Sequence, residues 1–279
     1  IVSAHVAGLG ANCTYMSVTG KDNPASFVRS TLADYCVCTQ LFEDVSRPTT
    51  FKIRYLVDNQ KLFRVSRLKE HSLTTRLEEQ LIQKIEDLAP GLNAIIVSDF
   101  VYGVITDRVL QTLQSISTEY NLPIFGDLQC SSQTGNILRF KDFDLICPTE
   151  REARIALTNH EDGIEYVANL LIEDTRSSNM ILKLGAGGFI AYATSQNADY
   201  RQRQHFPALT PNPVDVAGAG DALLAAVSVG ISRGLSLMQA ATFGCCVASL
   251  VVQTIGNRPV SLDQVKEFIY RREELSDGS

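Results

Sequence analysis

The residues with the clearest chemical potential are Asp215-Val216-Ala217-Gly218-Ala219-Gly220-Asp221, followed at once by the apolar run Ala222 to Ile231. Glycines at the opening of a helix let the backbone approach a ligand closely. The free first-turn amides and the helix dipole then favour a phosphate or a developing anion. Asp221 falls in the first turn, where the plainer reading is that it offsets the dipole or helps cap the helix. Spacing disfavours two common phosphate motifs. A dinucleotide fingerprint begun by Gly218 and Gly220 needs a glycine where Leu223 stands, and no P-loop string ending Gly-Lys-Ser or Gly-Lys-Thr occurs. The segment also comes late, whereas the dinucleotide fingerprint marks a first βαβ unit.

The elements that must position these residues alternate for most of the chain, the signature of a parallel sheet covered by helices on both faces. Short apolar runs at Cys13 to Val18, Ala94 to Ser98, Pro123 to Asp127, Asp144 to Cys147 and Met180 to Leu184 read as strands buried on two faces. Helical patterns cover Pro24 to Asp34, Thr75 to Leu88, Thr106 to Tyr120, Glu150 to Leu157, Gly163 to Thr175, Gly218 to Arg233, Leu237 to Thr254 and Leu262 to Arg272. Asp99 and Asp127 each close an apolar strand. That places them at the carboxyl edge of the sheet, where ligands of open α/β folds collect, although each also suits a loop start or a cap. Thr50 to Val57 and Lys61 to Leu68, separated by Asp58-Asn59-Gln60, break the alternation and read as an antiparallel hairpin, either an edge addition or a flap over a ligand.

A chain of 279 residues with 45% hydrophobic and 20% charged side chains can bury a large core as one α/β domain, with or without a small flap. A net charge of -6 and a pI near 5.3 argue against a broad nucleic-acid footprint. The seven cysteines, Cys13, Cys36, Cys38, Cys130, Cys147, Cys245 and Cys246, lie mostly in apolar runs with no CxxC pair, and read as reduced, buried thiols of a cytoplasmic protein. No stretch approaches the roughly 20 apolar residues of a membrane helix, and no signal segment is present.

From Asp215 to Asp221 the chain resembles the C-terminal signature of the phosphofructokinase-B and ribokinase-type carbohydrate kinases, with Ala217 at a position more often threonine. The likeness covers nearly the whole chain. It is nearest to the heptose-7-phosphate kinase group, through TTFKIRYLVDNQKLFRV from Thr49, SDFVYG from Ser98, LPIFGDLQ from Leu122, CPTEREA from Cys147 and the block Asp215 to Pro259. The resemblance implies a ribokinase-like α/β kinase domain over residues 1–272, with the hairpin at about 50–68 as flap and 273–279 as a tail or linker. The implied activity is ATP-dependent phosphoryl transfer to a sugar or sugar phosphate, with heptose 7-phosphate the first acceptor to consider. Mg²⁺ is implied as cofactor and a monovalent cation as a further one.

The resemblance also assigns roles. Asp221 would take the proton of the attacking hydroxyl, and the amides of Gly218, Ala219 and Gly220 would hold the transferring phosphoryl group, as general-base and anion-stabilising chemistry requires. Thr149-Glu150-Arg151-Glu152 matches a motif whose glutamate organises Mg²⁺; Glu152 matches it, while Thr149 stands in place of asparagine. Lys183, Gly185 and Gly188 belong to the strand and turn that pass the nucleotide phosphates. Arg54 matches an arginine on the sugar-phosphate side and would suit bidentate phosphate binding. A homodimer through the flap and a fused nucleotidyltransferase domain are implied as partners, with neither nucleic acid nor membrane.

Several positions depart from the pattern. Tyr102 and Gln129-Cys130 replace lysines, and an asparagine of the adenine pocket is replaced near Cys245. The family's first strand, with its sugar-binding aspartate, is missing before the helix at Ile1. The expectation is therefore a fragment with an open sheet edge that binds sugar poorly. These departures also motivate a rival reading, a regulatory or scaffolding kinase-like domain of a larger protein.

Overall fold

Residues 1–57, 60–129, 135–194, 202–210 and 212–277 are described by the computed structural model, the side chains of 56–57, 60–61 and 272–277 aside. The chain begins with α1 (Val2–Gly8), β1 (Thr14–Thr19), α2 (Asn23–Asp34) and β2 (Cys38–Glu43), and continues through the hairpin β3 (Phe51–Val57) and β4 (Gln60–Arg67). Then come α3 (Thr75–Leu88), β5 (Ile95–Asp99), α4 (Asp107–Tyr120), β6 (Ile124–Leu128), β7 (Leu145–Ile146), α5 (Glu150–Leu157) and α6 (Ile164–Thr175). The last part holds β8 (Asn179–Lys183), β9 (Phe189–Ala193), β10 (Gln202–Phe206), α7 (Ala219–Ser232), α8 (Leu237–Val251) and α9 (Leu262–Asp277).

Six strands form one sheet in the order β10-β9-β8-β7-β6-β5. Strands β5 to β8 are parallel, β9 runs antiparallel to β8, and β10, at the edge, runs antiparallel to β9. Alternate side chains feed two cores, as the period of two along a buried strand demands. Ile124, Ile146, Met180 and Leu182 join the core under α3, α4 and α6. Phe125, Leu145, Ile181 and Phe189 face the other way, toward Leu223, Leu224 and Val227 of α7 and Leu237 and Ala241 of α8. A third cluster ties Leu9, just after α1, to α7, α8 and Val265 of α9.

Helices on both faces of a mostly parallel sheet, the expected architecture, are thus observed. The pattern of short apolar runs did not anticipate β2, β9 or β10. The last of these, Gln202-Arg203-Gln204-His205-Phe206, is polar and exposed except at Phe206, because it lies at the sheet's edge. α9 continues to Asp277, beyond the end that the apolar pattern sets at Arg272; Glu273, Glu274 and Leu275 are good helix formers. β1 pairs only with β2, in parallel, as a separate small sheet, and β5 has no second strand neighbour among the described residues. Met16, Val18 and Phe42 of that small sheet still pack on the main core.

The hairpin pairs Phe51 with Arg67, Ile53 with Val65 and Tyr55 with Phe63, as its alternation predicts; residues 58–59 of its turn lie outside the described part. Its two faces differ. Phe51, Ile53, Tyr55, Phe63 and Val65 form an exposed apolar strip, with the Tyr55 and Phe63 rings stacked at 4.4 Å. Lys52, Arg54, Arg64 and Ser66 occupy the other face. There the Lys52 ammonium lies 5.0 Å from the Phe100 ring centre and 4.9 Å from that of Tyr102.

Candidate active site at the carboxyl ends of the parallel strands

Because β5, β6, β7 and β8 are parallel, their carboxyl ends share one edge, and the segments leaving them meet the start of α7. Gly218 is the N-cap residue of that helix, with φ +83° and ψ 0°, a left-handed conformation suited to glycine. No side chain caps α7. Its first helical backbone bond is the one Ala222 N–H donates to Gly218 C=O, at 2.9 Å. Ala219 N–H makes a long bond to Val216 C=O at 3.4 Å, while the Gly220 and Asp221 amides make none among the described residues and are available to an anion.

Lys183, the last residue of β8, lies alongside this turn. A Cβ placed on Gly220 would sit 3.5 Å from its Nζ. The ammonium donates to Asp127 Oδ1 at 2.8 Å, and the Asp127 side chain is fully buried with Oδ2 unpartnered. Burial opposes the Lys183 charge, but the carboxylates of Asp127 and Glu152 outweigh it and hold the pKa above the ordinary lysine value. Asp221, on the same first turn of α7, accepts a hydrogen bond from Gln129 Nε2 at 2.8 Å. Burial, and then the charge of Asp127, push its pKa up, against Lys183 and the Gln129 hydrogen bond. Asp127, Gln129, Lys183, Asp221 and the Gly218–Gly220 amides thus converge on one place.

Other predicted residues are arranged differently. Asp99 is buried at the end of β5, but its Oδ1 accepts from Val101 N–H at 2.8 Å and its Oδ2 from Arg139 at 3.3 Å. Burial raises its pKa against those two donors. The carboxylate organises its own loop, in which Val101 takes φ +61°, a strained conformation for a β-branched residue. Arg54 is exposed on the hairpin face whose Lys52 touches Tyr102. Gly185 has φ +60° and open space around its Cα. A Cβ on Gly188 would lie 2.0 Å from Phe206 C=O, so the approach of β10 explains that glycine.

Thr149 and Glu152 form a capping box at the start of α5. Glu152 N–H donates to Thr149 Oγ1 at 3.2 Å, and Thr149 N–H donates to Glu152 Oε2 at 2.8 Å. The pattern Thr-x-x-Glu carries this signal in sequence.

Gln129 was legible only as a departure from the family pattern, and no local signal tied it to Asp221. Among the described residues no three acidic, cysteine or histidine side chains gather as a metal cage. Glu152 is an electrostatic neighbour of Lys183.

Known proteins resemble this chain in sequence and in fold. The chain is 26% identical over 265 residues to the bifunctional protein HldE of Geotalea uraniireducens, covering 94% of this chain and 52% of that protein. It is 26% identical over 270 residues to the HldE of Campylobacter jejuni subsp. doylei, covering 96% and 55%. The chain thus spans about half the length of these curated relatives. Its fold matches Escherichia coli phosphofructokinase-2 solved with potassium, with a TM-score of 0.77 at 17% identity over 96% of this chain and 85% of that one. Ribokinase from Thermotoga maritima matches with a TM-score of 0.74 at 19% identity, over 96% and 85%. The pfkB family carbohydrate kinase model matches residues 2–264, and the chain is a member of that family.

Proposed function

We propose that this kinase moves the terminal phosphoryl group of ATP to a hydroxyl of a sugar or sugar phosphate, with heptose 7-phosphate the leading acceptor. The observation that carries the reading is an ammonium, Lys183, set beside the uncapped positive end of α7 with Asp221 on the same turn. Two positive features side by side repel unless an anion lies between them. Asp127 offsets one, and a phosphoryl group would satisfy the other.

In this mechanism Asp221 accepts the proton of the acceptor hydroxyl as its oxygen bonds to phosphorus and the bond to the ADP oxygen breaks. Gln129 holds Oδ1 in place. The Gly218, Ala219 and Gly220 amides and Lys183 offset charge on the transferring oxygens. Mg²⁺, reached by Glu152 through water, would neutralise the nucleotide phosphates, and a monovalent cation is a further candidate cofactor. Lys52 and Arg54 supply positive charge for a phosphate carried by the acceptor.

Asp221→Asn tests the reading in a coupled ADP assay with a panel of sugars and sugar phosphates. Turnover should fall about 10²- to 10⁴-fold, the range of a lost general base, with nucleotide affinity nearly unchanged. The wild-type rate should fall on the acidic side above the usual aspartate range, because the base must be ionised and its pKa is raised. A wild-type rate in the variant removes Asp221 as base.

One observation favours a second reading, a regulatory kinase-like domain: Glu152 Oε2 is already committed to the α5 cap. Nucleotide-induced stabilisation without ADP formation across the whole panel would select it. The relatives' length makes a fused nucleotidyltransferase part of the proposal. So is a homodimer, supported by the exposed strip Phe51, Ile53, Tyr55, Phe63 and Val65. Light scattering should give twice the chain mass for wild type and the single mass for Phe63→Asp. Equal masses would remove the flap as the contact.

A further inference from the structure

The start of α7 is held from behind by a segment on which the proposed chemistry makes no direct demand. Val252 C=O accepts from Val214 N–H at 2.7 Å and from Asp215 N–H at 3.2 Å. Asp215 turns back on its own loop, its Oδ1 accepting from Ala217 N–H at 2.9 Å and its Oδ2 from Gly256 N–H at 3.5 Å. Asn257 follows in a left-handed conformation, φ +49°, and lies flat against Gly218. A Cβ on that glycine would fall 1.8 Å from Asn257 Nδ2, 2.0 Å from Cγ and 2.1 Å from Oδ1.

Behind Asn257 stands His5 of α1, fully buried. Val260 N–H donates to its Nδ1 at 3.3 Å, which leaves the ring proton on Nε2. The Asn257 carboxamide is the side chain that interacts with the imidazole. His5 Nε2 and Asn257 Oδ1 are both buried and without a hydrogen-bond partner of good geometry. α1 is locked to the same segment elsewhere, since a Cβ on Gly8 would lie 2.6 Å from Val260 C=O. A buried donor and a buried acceptor left unsatisfied are costly, and a bond between them would remove that cost.

We propose that His5 and Asn257 are positioning residues: a polar strut running from α1 through the carboxamide to Gly218, which fixes the backbone of the phosphoryl cradle and tightens when the cradle is filled. The proposal rests on the cradle reading above. Neither residue touches the reacting atoms. A buried apolar residue would fill the space of His5 at lower cost, but only a donor on Nε2 gives the carboxamide a direction.

Asn257→Gly removes the carboxamide at a position whose left-handed backbone suits glycine, so the fold is kept. Its kcat should drop about 10- to 100-fold, the penalty of a slightly misplaced cradle, while the KM of the acceptor stays within about twofold. His5→Ala should act in the same direction, and the double variant should be no slower than the worse single one, as members of one strut require. His5→Gln, which can accept from Val260 and donate to Asn257, should recover most of the rate. Hydrogen exchange gives a readout independent of turnover: amides from 216 to 222 should lose protection equally in Asn257→Gly and His5→Ala, and gain it in wild type on adding ATP without an acceptor. Additive effects of the two substitutions, or unchanged exchange in both, would overturn the strut. A wild-type protein that turns over no acceptor but shows the exchange pattern would overturn the kinase reading alone.

Discussion

α5 opens Thr149-Glu150-Arg151-Glu152 and α7 opens Gly218-Ala219-Gly220-Asp221, so both helices carry a carboxylate three residues beyond the N-cap, at one edge of one sheet. At α5 the threonine hydroxyl captures the first-turn amide and Glu152 folds back onto the Thr149 amide. At α7 the N-cap has no side chain to do this. The Gly220 and Asp221 amides stay open, and the Asp221 side chain is held instead by Gln129 from just beyond β6. Replacing a capping hydroxyl by glycine costs only a few tenths of a kcal/mol, so opening one helix start for an anion costs the fold little. A single residue, the N-cap, thus separates an acid folded back onto its own helix from one held by Gln129 across the sheet edge.

The widest difference between the two helix starts lies in the charge beneath α7, and Lys183→Met should expose it. The substitution leaves Asp127 buried and unpaired, which costs about 3 to 5 kcal/mol when one member of a buried ion pair is removed. Urea unfolding should show the loss, and the Asp127→Asn, Lys183→Met double variant should regain most of it. ATP affinity should fall in both, because the cation beside Gly220 is gone. A stable single variant with unchanged ATP affinity would mean that α7 is no more primed for an anion than α5.

The two-sided core was legible because apolar strands buried on both faces leave a local record: Phe125-Gly126-Asp127 and Met180-Ile181-Leu182 announce themselves. The glycine signature was legible for the same reason, since backbone freedom and an uncapped amide are local properties of Gly218. β10 left no record because an edge strand needs no apolar face. The partners of the site residues were hidden more deeply. Gln129 and Asp221 are 92 residues apart, and His5 and Val260 are 255 apart, so only the assembled sheet and helices bring them together. Thr149 and Glu152 are the opposite case. Their Thr-x-x-Glu pattern encodes a capping box, yet the likeness to a metal-organising motif drew attention to the ligand role first. Asp99 closes a strand as Asp127 does, but its location alone did not reveal that Val101 and Arg139 would claim both oxygens.

The two roles of α5 separate in its smaller effects. Thr149→Ala removes the cap hydroxyl and should cost about 1 kcal/mol in thermal or urea unfolding, with turnover little changed. Glu152→Gln keeps the capping box, because glutamine returns to the N-cap amide as glutamate does, and should leave stability within about 0.5 kcal/mol of wild type. It removes the charge a Mg²⁺ ion would feel. The Mg²⁺ concentration giving half-maximal turnover should therefore rise about 10-fold, the effect of losing an outer-sphere partner. A Glu152→Gln enzyme with an unchanged Mg²⁺ requirement would assign that carboxylate wholly to the helix cap. The contrast with Asp221 would then be complete on the proposed mechanism: two acids at the same helical position, one belonging to the fold and the other to the reaction.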